Sequence, residues 1–210
     1  MLSVATILLA AGGSTRLGRP KQLLPFGRST LLRHAAETAV AAGLGPVIVV
    51  LGAVEEACRE TVFGLPVTIV ANPTWQDGMG SSIAAGMSAI GETSHRAAII
   101  MLCDQPAITP GVLRSLAEHQ RTTGKSIVAA QYGGTLGPPA LFAAKHFPQL
   151  RLLRGHQGAK SLFQNQSELS PLACPEAAWD IDTEEDLASL SEGNTSEGIS
   201  QPFPKSVTRS

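Results

Sequence analysis

Apolar and polar residues are arranged along this chain in two distinct patterns. Continuous runs of apolar residues, many of them β-branched, predict buried strands over Val4–Ala10, Val47–Leu51, 67–70, Ala97–Leu102 and 126–130. Between these runs, apolar residues recur at helical spacing. The alternation of strand and helix predicts right-handed crossovers and a mostly parallel sheet.

The expected helices have recognisable ends. The first is capped by Ser29 or Thr30 and closed by Gly43, and the second covers Glu55–Thr61. A third helix of small residues runs through Gly86 and Met87, and a fourth begins at Thr109-Pro110. The sequence therefore predicts one three-layer α/β/α domain of the Rossmann type, with ligands over the carboxyl ends of the strands.

The last third of the chain is less regular. Glycines and prolines predict a loop over 131–139, after which Leu141 and Phe142 lead into a helix near 143–146. Thr183 and Asp186 form a plausible capping box for a closing helix. Residues 191–210 are poor in apolar side chains, so we expect the domain to span 1–190 and the rest to be a disordered tail.

Composition narrows the function. The chain has 210 residues, a formal net charge of −1 and 16% charged residues, so it has no basic field for nucleic acid. The three cysteines, Cys58, Cys103 and Cys174, fit neither a disulfide framework nor a zinc site. The apolar runs are too short to span a membrane, and no export signal precedes them. These features favour a cytoplasmic protein with a small-molecule substrate.

The segment that follows the first strand is suited to binding anions. Gly12 and Gly13 allow backbone N–H groups to approach a ligand closely, and Ser14 and Thr15 add hydroxyl donors. Three cations follow within six residues, of which one or two could reach a polyphosphate: Arg16, Arg19 and Lys21.

Two general phosphate-binding motifs do not match this segment. A dinucleotide fingerprint needs G-x-G-x-x-G opening directly into a helix, and these glycines are spaced differently. A P-loop comes closer, because Gly13 and Gly18 have its outer spacing. However, Arg19-Pro20 stands where that motif requires Lys-Ser/Thr.

The stretch Leu9 to Lys21 resembles the L-A-x-G-x-x-x-R-(M/L)-G-x-x-K signature of nucleotidyltransferases, which attach a nucleoside monophosphate to a phosphorylated acceptor. Every fixed position is present. The stretch Asn72 to Ser82 is similar to the N-P-x-W-x-x-G-M-x-x-S segment of one branch, the molybdenum cofactor cytidylyltransferases, and again every position matches.

Three later segments extend the resemblance. Gly137 to Phe142 matches the G-x-P-x-x-(F/L) element that helps form the acceptor pocket of relatives. The stretch Gly155 to Lys160 resembles their G-D-x-G-A-(R/K) turn, but His156 replaces the aspartate. A histidine in a glycine turn is usually a solvated surface residue, and the exchange puts any acidic role of the turn in doubt. Asp180 to Asp186 aligns with (N/D)-x-(N/D)-T-x-E-D, whose residue before the threonine approaches the metal in relatives.

The resemblance implies a set of functional residues. Arg16, Lys21 and Asp104 would serve catalysis, and Asp104 and Asp182 would hold Mg²⁺. Asp104 follows the central strand at the carboxyl edge, and Thr109 already caps the next helix, so capping does not explain it. The implied binding residues are Leu9, Ala10, Ala11, Gly12, Gly13, Ser14, Arg16, Lys21, Trp75, Gly78, Met79, Ser82 and Asp180.

The reaction implied is transfer of CMP from CTP to the terminal phosphate of molybdopterin, with release of pyrophosphate. Guanylyltransferases for this cofactor resemble L-A-G-G where this chain has Ala11, and the extra methyl favours the smaller base. A cytidylyl- or uridylyltransferase for a sugar or polyol phosphate is an alternative. So is a carrier that hands molybdenum cofactor to a molybdoenzyme or its chaperone. A redox enzyme is a further class, but no nicotinamide or flavin fingerprint supports it.

Overall fold

The computed structural model describes residues 3–14, 17–91, 95–156, 158–181 and 186. Arg16, Asp182 and the predicted tail lie outside the described residues, as does the predicted closing helix except for Asp186.

The strands are β1 (Val4–Ala10), β2 (Pro25–Phe26), β3 (Ser29–Thr30), β4 (Val47–Leu51), β5 (Val67–Ala71), β6 (Ala97–Leu102), β7 (Ile127–Tyr132), β8 (Thr135–Ala143) and β9 (Leu169–Ala173). The α-helices are α1 (Leu31–Ala42), α2 (Glu55–Thr61), α3 (Met79–Ala89), α4 (Pro110–Thr123) and α5 (Phe147–Arg151). Short 3-10 helices cover Lys21–Leu23, Trp75–Asp77, Ala144–His146, Gly158–Gln164 and Pro175–Ala178.

Seven of the strands form one sheet in the order β5-β4-β1-β6-β8-β7-β9. All neighbouring pairs are parallel except the two that β8 makes, with β6 and with β7. The prediction of a mostly parallel α/β sheet is confirmed. Every residue of β1 is buried, because β4 and β6 flank this strand and helices cover both of its faces.

Two apolar clusters hold the layers together. On one face, Leu32 of α1, Cys58 of α2 and Leu113 of α4 pack against the sheet. On the other face, Ile83 of α3 and Leu150 of α5 do the same. The protein therefore has the three layers that the alternating pattern predicts. Within the described residues, no helix is both long and apolar enough to cross a membrane.

The ends of α1 and α4 confirm the capping signals. The Thr30 side chain accepts a hydrogen bond from the Arg33 N–H, and Thr109 accepts one from the Val112 N–H. Gly43 ends α1 in the left-handed region, at φ 67°. The bounds predicted for β1, β4, α2 and β6 also match the structure.

The prediction of a loop over 131–139 is wrong. β7 continues to Tyr132, Gly133-Gly134 makes a tight turn at φ 52° and 74°, and β8 returns beside β7. A bulge accommodates the prolines: Ala129 pairs with Ala140 but Ala130 pairs with Gly137, so Pro138 and Pro139 lie in the irregularity.

The prediction that Leu141 and Phe142 lead into a helix near 143–146 is also corrected. Both residues belong to β8, and their side chains are fully buried. Only a single 3-10 turn follows, at Ala144–His146, before α5 begins at Phe147. Sheet burial at these two positions outweighs the local helical pattern.

Gly86 brings α3 close to the sheet. A Cβ at this position would lie 2.6 Å from Ile7 Cγ2 and 2.9 Å from Val50 Cγ2. Both neighbours are stiff β-branched side chains in buried strands, so we expect Gly86→Ala to lower the free energy of unfolding by about 1–3 kcal/mol. Chemical denaturation measures this directly.

The matched control is Gly111→Ala, an exchange at an exposed position of helix α4. Its Cβ would meet only Thr109 Oγ1, at 3.4 Å. We expect this variant to be as stable as the parent or more stable, by up to about 1 kcal/mol. If the two variants change the free energy of unfolding equally, the close approach of α3 to the sheet does not explain the glycine at position 86.

Candidate active site

A cleft of about 420 Å³ opens where β1 and β6 end. The predicted residues that line it are Leu9, Ala10, Ala11, Gly12, Gly13, Ser14, Lys21, Trp75, Gly78, Met79, Ser82 and Asp104. Three distant parts of the sequence thus meet at the carboxyl edge of the sheet, where this class of fold binds ligands.

The glycine-rich loop forms one wall of the cleft with its backbone. Within the described part of the chain, the N–H groups of Gly12, Gly13 and Ser14 have no protein acceptor. Ser14 adopts φ 50°, in the left-handed region, and its Oγ accepts a hydrogen bond of 3.0 Å from the Lys21 N–H. Consecutive free N–H groups in such a bend form an anion-binding concavity.

Lys21 and Asp104 form an ion pair at the base of this loop. Lys21 Nζ lies 2.7 Å from Asp104 Oδ2, and the two side chains are 18% and 16% exposed. The pairing joins the end of the glycine-rich segment to the end of β6. A cation is therefore held beside backbone N–H groups that have no acceptor among the described residues, and both kinds of group can stabilise negative charge.

The second oxygen of Asp104 fits a role in metal binding. Asp104 Oδ1 is buried and has no hydrogen-bond partner among the described residues. Mg²⁺ is commonly bound by one or two carboxylates together with substrate phosphates. In the described ranges no group of three or more His, Cys, Asp or Glu side chains could hold a metal ion.

The segment that carries Asp180 contacts the site through the next residue, Ile181. The Ile181 N–H donates to the Asp104 carbonyl at 3.1 Å, and Ile181 is fully buried against Leu17 and Leu24. Asp180 is exposed and does not line the cleft. Its prediction as a binding residue therefore gains no support from the cleft, and Arg16 and Asp182 are not described.

A buried asparagine shapes the opposite wall. Asn72 Nδ2 donates to Ser81 Oγ at 2.9 Å and to Ser82 Oγ at 3.0 Å, while its Oδ1 accepts from the Thr74 N–H at 3.1 Å. These bonds fix the path of the chain around Trp75. The sequence resemblance includes Asn72, but its part in fixing this path emerges only from the structure.

Trp75 packs directly against the glycine-rich loop. A Cβ at Gly13 would lie 3.0 Å from two atoms of the indole ring, and one at Gly52 would lie 2.7 Å from Trp75 Cβ. The absence of side chains at these glycines allows the ring to pack against the loop, where it lines the cleft. The two walls are thus in contact through Trp75.

His156 also lines the cleft. The turn that carries it rests on the start of α3: the Gly80 N–H donates to the Gly155 carbonyl at 2.9 Å, and a Cβ at Gly78 would lie 2.6 Å from that oxygen. The imidazole has no hydrogen-bond partner within the described ranges. His156 is exposed, as the sequence predicts, but it faces a candidate ligand site.

The predicted acceptor element does not line this cleft, and its role in an acceptor pocket stays a prediction. Gly137 and Pro138 belong to β8, and they are not among the residues that line this cleft. The carbonyl of Pro138 accepts a hydrogen bond from Gln105 Nε2 at 3.1 Å. The described structure therefore gives this element a role in the sheet.

Sequence reasoning did not assign four further cleft residues: Gln22, Gln76, Leu102 and Cys103. Leu102 and Cys103 directly precede Asp104, so their position follows from that of the carboxylate. Burial, and then the charge of Asp104, raise the pKa of the Cys103 thiol far above its usual range. Cys103 is thus a neutral thiol and an unsuitable nucleophile.

A larger, open groove of about 1340 Å³ lies at the opposite edge of the sheet, beside Ser3, Arg96 and Arg114. It contains none of the predicted residues, and no glycine-rich loop borders it. The chemistry described above is therefore confined to the smaller cleft at the carboxyl edge.

Comparison with known proteins places this architecture in a family. Residues 6–170 match the model of the MobA-like NTP transferase domain. The chain is 41% identical over 119 residues to nicotine blue oxidoreductase of Paenarthrobacter nicotinovorans, a match covering 56% of this chain and 57% of that protein. It is 28% identical to purine catabolism protein PucB of Bacillus subtilis, over 76% of this chain and 80% of PucB.

Solved structures share this architecture. Rv0371c of Mycobacterium tuberculosis H37Rv superposes with a TM-score of 0.78 at 28% identity, covering 91% of this chain and 98% of that one. A manganese complex of that protein superposes with a TM-score of 0.75 at 27% identity, over 90% and 98% of the two chains. With the family model spanning most of the sequence, the chain belongs to the MobA-like NTP transferase family of nucleotidyltransferases.

Proposed function

We propose that the protein transfers CMP from CTP to the terminal phosphate of molybdopterin, with Mg²⁺ as the metal and pyrophosphate as the second product. One observation supports the proposal above all: the free N–H groups of the glycine-rich loop and the Lys21–Asp104 pair share a cleft with the Trp75–Ser82 segment. The first two features suit a triphosphate, and the segment carries the resemblance to the cytidylyltransferases.

The chemistry is a substitution at the α-phosphorus. An oxygen of the acceptor phosphate forms a bond to this phosphorus, and the bond from phosphorus to the oxygen that bridges to the β-phosphate breaks. The electron pair of that bond leaves with pyrophosphate. The acceptor phosphate is largely ionised at neutral pH, so no general base is required.

The protein's part is to position the reactants and balance their charge. The N–H groups of Gly12 to Ser14, with Arg16, would bind the β- and γ-phosphates. Lys21 would stabilise the charge that develops at the α-phosphate. Asp104 and Asp182 would hold Mg²⁺, which supplies further charge neutralisation on the phosphates when bound.

The Lys21–Asp104 pair leaves one carboxylate oxygen for a metal ion. Asp104 holds Lys21 Nζ at 2.7 Å through one oxygen only, and its other oxygen is without a partner in the described chain. The carboxylate can thus bind a metal ion through Oδ1 without first losing the lysine. This arrangement favours catalysis over a carrier role, because a carrier has little use for a lysine and a metal-binding carboxylate at one phosphate site.

The test is pyrophosphate release from each of the four nucleoside triphosphates with molybdopterin, a sugar phosphate or a polyol phosphate as acceptor. We expect release with CTP and molybdopterin, dependent on Mg²⁺. Release with a sugar or polyol phosphate alone would overturn the proposed acceptor. Tight molybdopterin binding without turnover would favour the carrier alternative.

Ala11 is the proposed selector of the base. It directly follows β1, is 4% exposed and lines the cleft. With the base bound against it, its methyl group would narrow the space available to a purine. We expect kcat/KM for CTP to exceed that for GTP by at least ~10, the scale of a methyl-sized contact. Ala11→Gly should reduce this ratio by admitting GTP.

Ala5→Gly is the control for that exchange. Ala5 lies in β1 and belongs to the same apolar cluster as Ala11, and it is fully buried, but it is outside the cleft. The control should lose stability and retain the CTP/GTP ratio. An unchanged ratio in Ala11→Gly, or equal use of CTP and GTP by the parent protein, would remove Ala11 as the selector.

A further inference from the structure

Gln22 lies beneath the glycine-rich loop, in the 3-10 helix Lys21–Leu23, and is 2% exposed. Its Nε2 donates to the carbonyl of Ala10 at 2.9 Å and to the carbonyl of Gly12 at 2.7 Å. Both protons of the side-chain amide are therefore used on the backbone of the segment that binds anions in the proposed function. Gln22 itself borders the cleft.

The orientation of this amide is determined by its surroundings. Exchanging nitrogen and oxygen would bring Oε1 against two carbonyl oxygens, which cannot donate to it. In the orientation observed, Oε1 is buried and has no hydrogen-bond partner among the residues that the structure describes. Burying this oxygen without a partner is unfavourable, and the cost offsets part of the stability that the two hydrogen bonds of Nε2 contribute.

The two bonds fix the direction of neighbouring N–H groups. A trans peptide unit is planar, and its C=O and N–H point in opposite directions. Holding the Gly12 carbonyl against Gln22 therefore turns the Gly13 N–H to the other side of the chain. At the far end of the loop, the Lys21 N–H holds Ser14 Oγ at 3.0 Å. Residues 21 and 22 thus restrain the loop at both ends.

We infer that Gln22 is a positioning residue for the polyphosphate of the nucleotide: through the Gly12 carbonyl it holds the Gly13 N–H, at the centre of the bend from Gly12 to Ser14, in the orientation that binds phosphate oxygens. The inference rests on the proposed use of this loop for the triphosphate, but not on CTP or molybdopterin as the substrates. Without Gln22 the loop can still form, because Gly12 and Gly13 permit many conformations. Part of the binding energy of the triphosphate is then spent on ordering the loop, so the triphosphate binds more weakly.

The test compares Gln22→Met with Gln105→Met. Gln105 is also a buried glutamine, 4% exposed, whose Nε2 donates to two carbonyls, those of Pro138 and Ala177. Calorimetric titration with CTP, CMP and inorganic pyrophosphate gives Kd for each ligand, and thermal denaturation gives Tm. We expect both variants to lose similar stability.

Only Gln22→Met should bind pyrophosphate and CTP more weakly, by tenfold or more, with a smaller loss for CMP. In turnover its KM for the triphosphate should rise more than its kcat falls. Unchanged pyrophosphate binding in Gln22→Met, or an equal loss in Gln105→Met, would overturn the inference. If the parent protein itself binds neither pyrophosphate nor any triphosphate, the proposed function fails together with it.

If Gln22→Met does not fold, NMR spectroscopy of the parent protein tests the same inference. The side-chain amide protons of Gln22 should exchange slowly with solvent in NMR spectra, and they should shift when pyrophosphate is added. Fast exchange and unchanged resonances at saturating pyrophosphate would show that Gln22 does not hold the loop.

Discussion

Asp104→Asn is expected to lower turnover on the order of 100-fold or more while the protein stays folded. The exchange keeps the shape of the side chain but removes the charge that pairs with Lys21, and it weakens the proposed ligand of Mg²⁺. Lys21 is left without that counter-ion in a cleft that is open to solvent, so the fold can tolerate the loss. Steady-state pyrophosphate release and Tm are the measurements.

Glu168→Gln is the matched control for this variant. Glu168 forms an ion pair of the same length, 2.7 Å, with Lys145, at a site away from the cleft. It should keep its turnover even if its stability changes. Near-normal turnover in Asp104→Asn would contradict a mechanism in which this carboxylate holds the metal.

Lys21→Ala is expected to have the second largest effect, a fall in kcat of roughly 100-fold. The lysine is proposed to meet charge that develops at the α-phosphate in the transition state, so its removal should affect the rate more than the binding of the triphosphate. Arg16→Ala should show the opposite pattern, weaker triphosphate binding with a smaller change in kcat.

Lys145→Ala controls for the loss of a lysine and its ion pair at 2.7 Å. It should leave both kinetic constants unchanged. The assigned roles are contradicted if Lys21→Ala raises KM alone and leaves kcat at the parent value.

Much of the architecture could be predicted because local patterns and tertiary packing agree. The strand β1 is buried on both faces, and its continuous apolar run shows this directly. The helix caps at Thr30 and Thr109 depend on residues close in sequence, so the sequence contains all that determines them.

The hairpin β7–β8 could not be predicted from local sequence patterns. Its residues, rich in Gly and Pro, have the composition of a loop, but the strand is formed by long-range pairing of Ala140 to Ala143 with β6. The prolines are tolerated because the bulge at Ala129/Ala130 leaves them out of the regular pairing. Neither the bulge nor the pairing has a signal in the local sequence.

The candidate site shows a similar division. The glycine-rich loop and Asp104 were predictable, because each follows a predicted strand at the same edge of the sheet. The role of Gln22 was not predictable, because nothing in the sequence distinguishes this glutamine from an exposed polar residue. Its burial and its two backbone acceptors are known only from the structure. His156 faces the cleft only because the glycines of α3 and of its own turn allow the two segments to touch.

In the proposed reaction, the α-phosphate of a nucleoside triphosphate moves to a phosphorylated acceptor in this cleft. Position-specific labelling tests it most directly, with CTP labelled by ³²P at either the α- or the γ-phosphate and incubated with the protein, Mg²⁺ and molybdopterin. We expect the α-label in a molybdopterin–CMP product and the γ-label in pyrophosphate. Transfer of the γ-label to the acceptor, or both labels remaining in CTP, would contradict it.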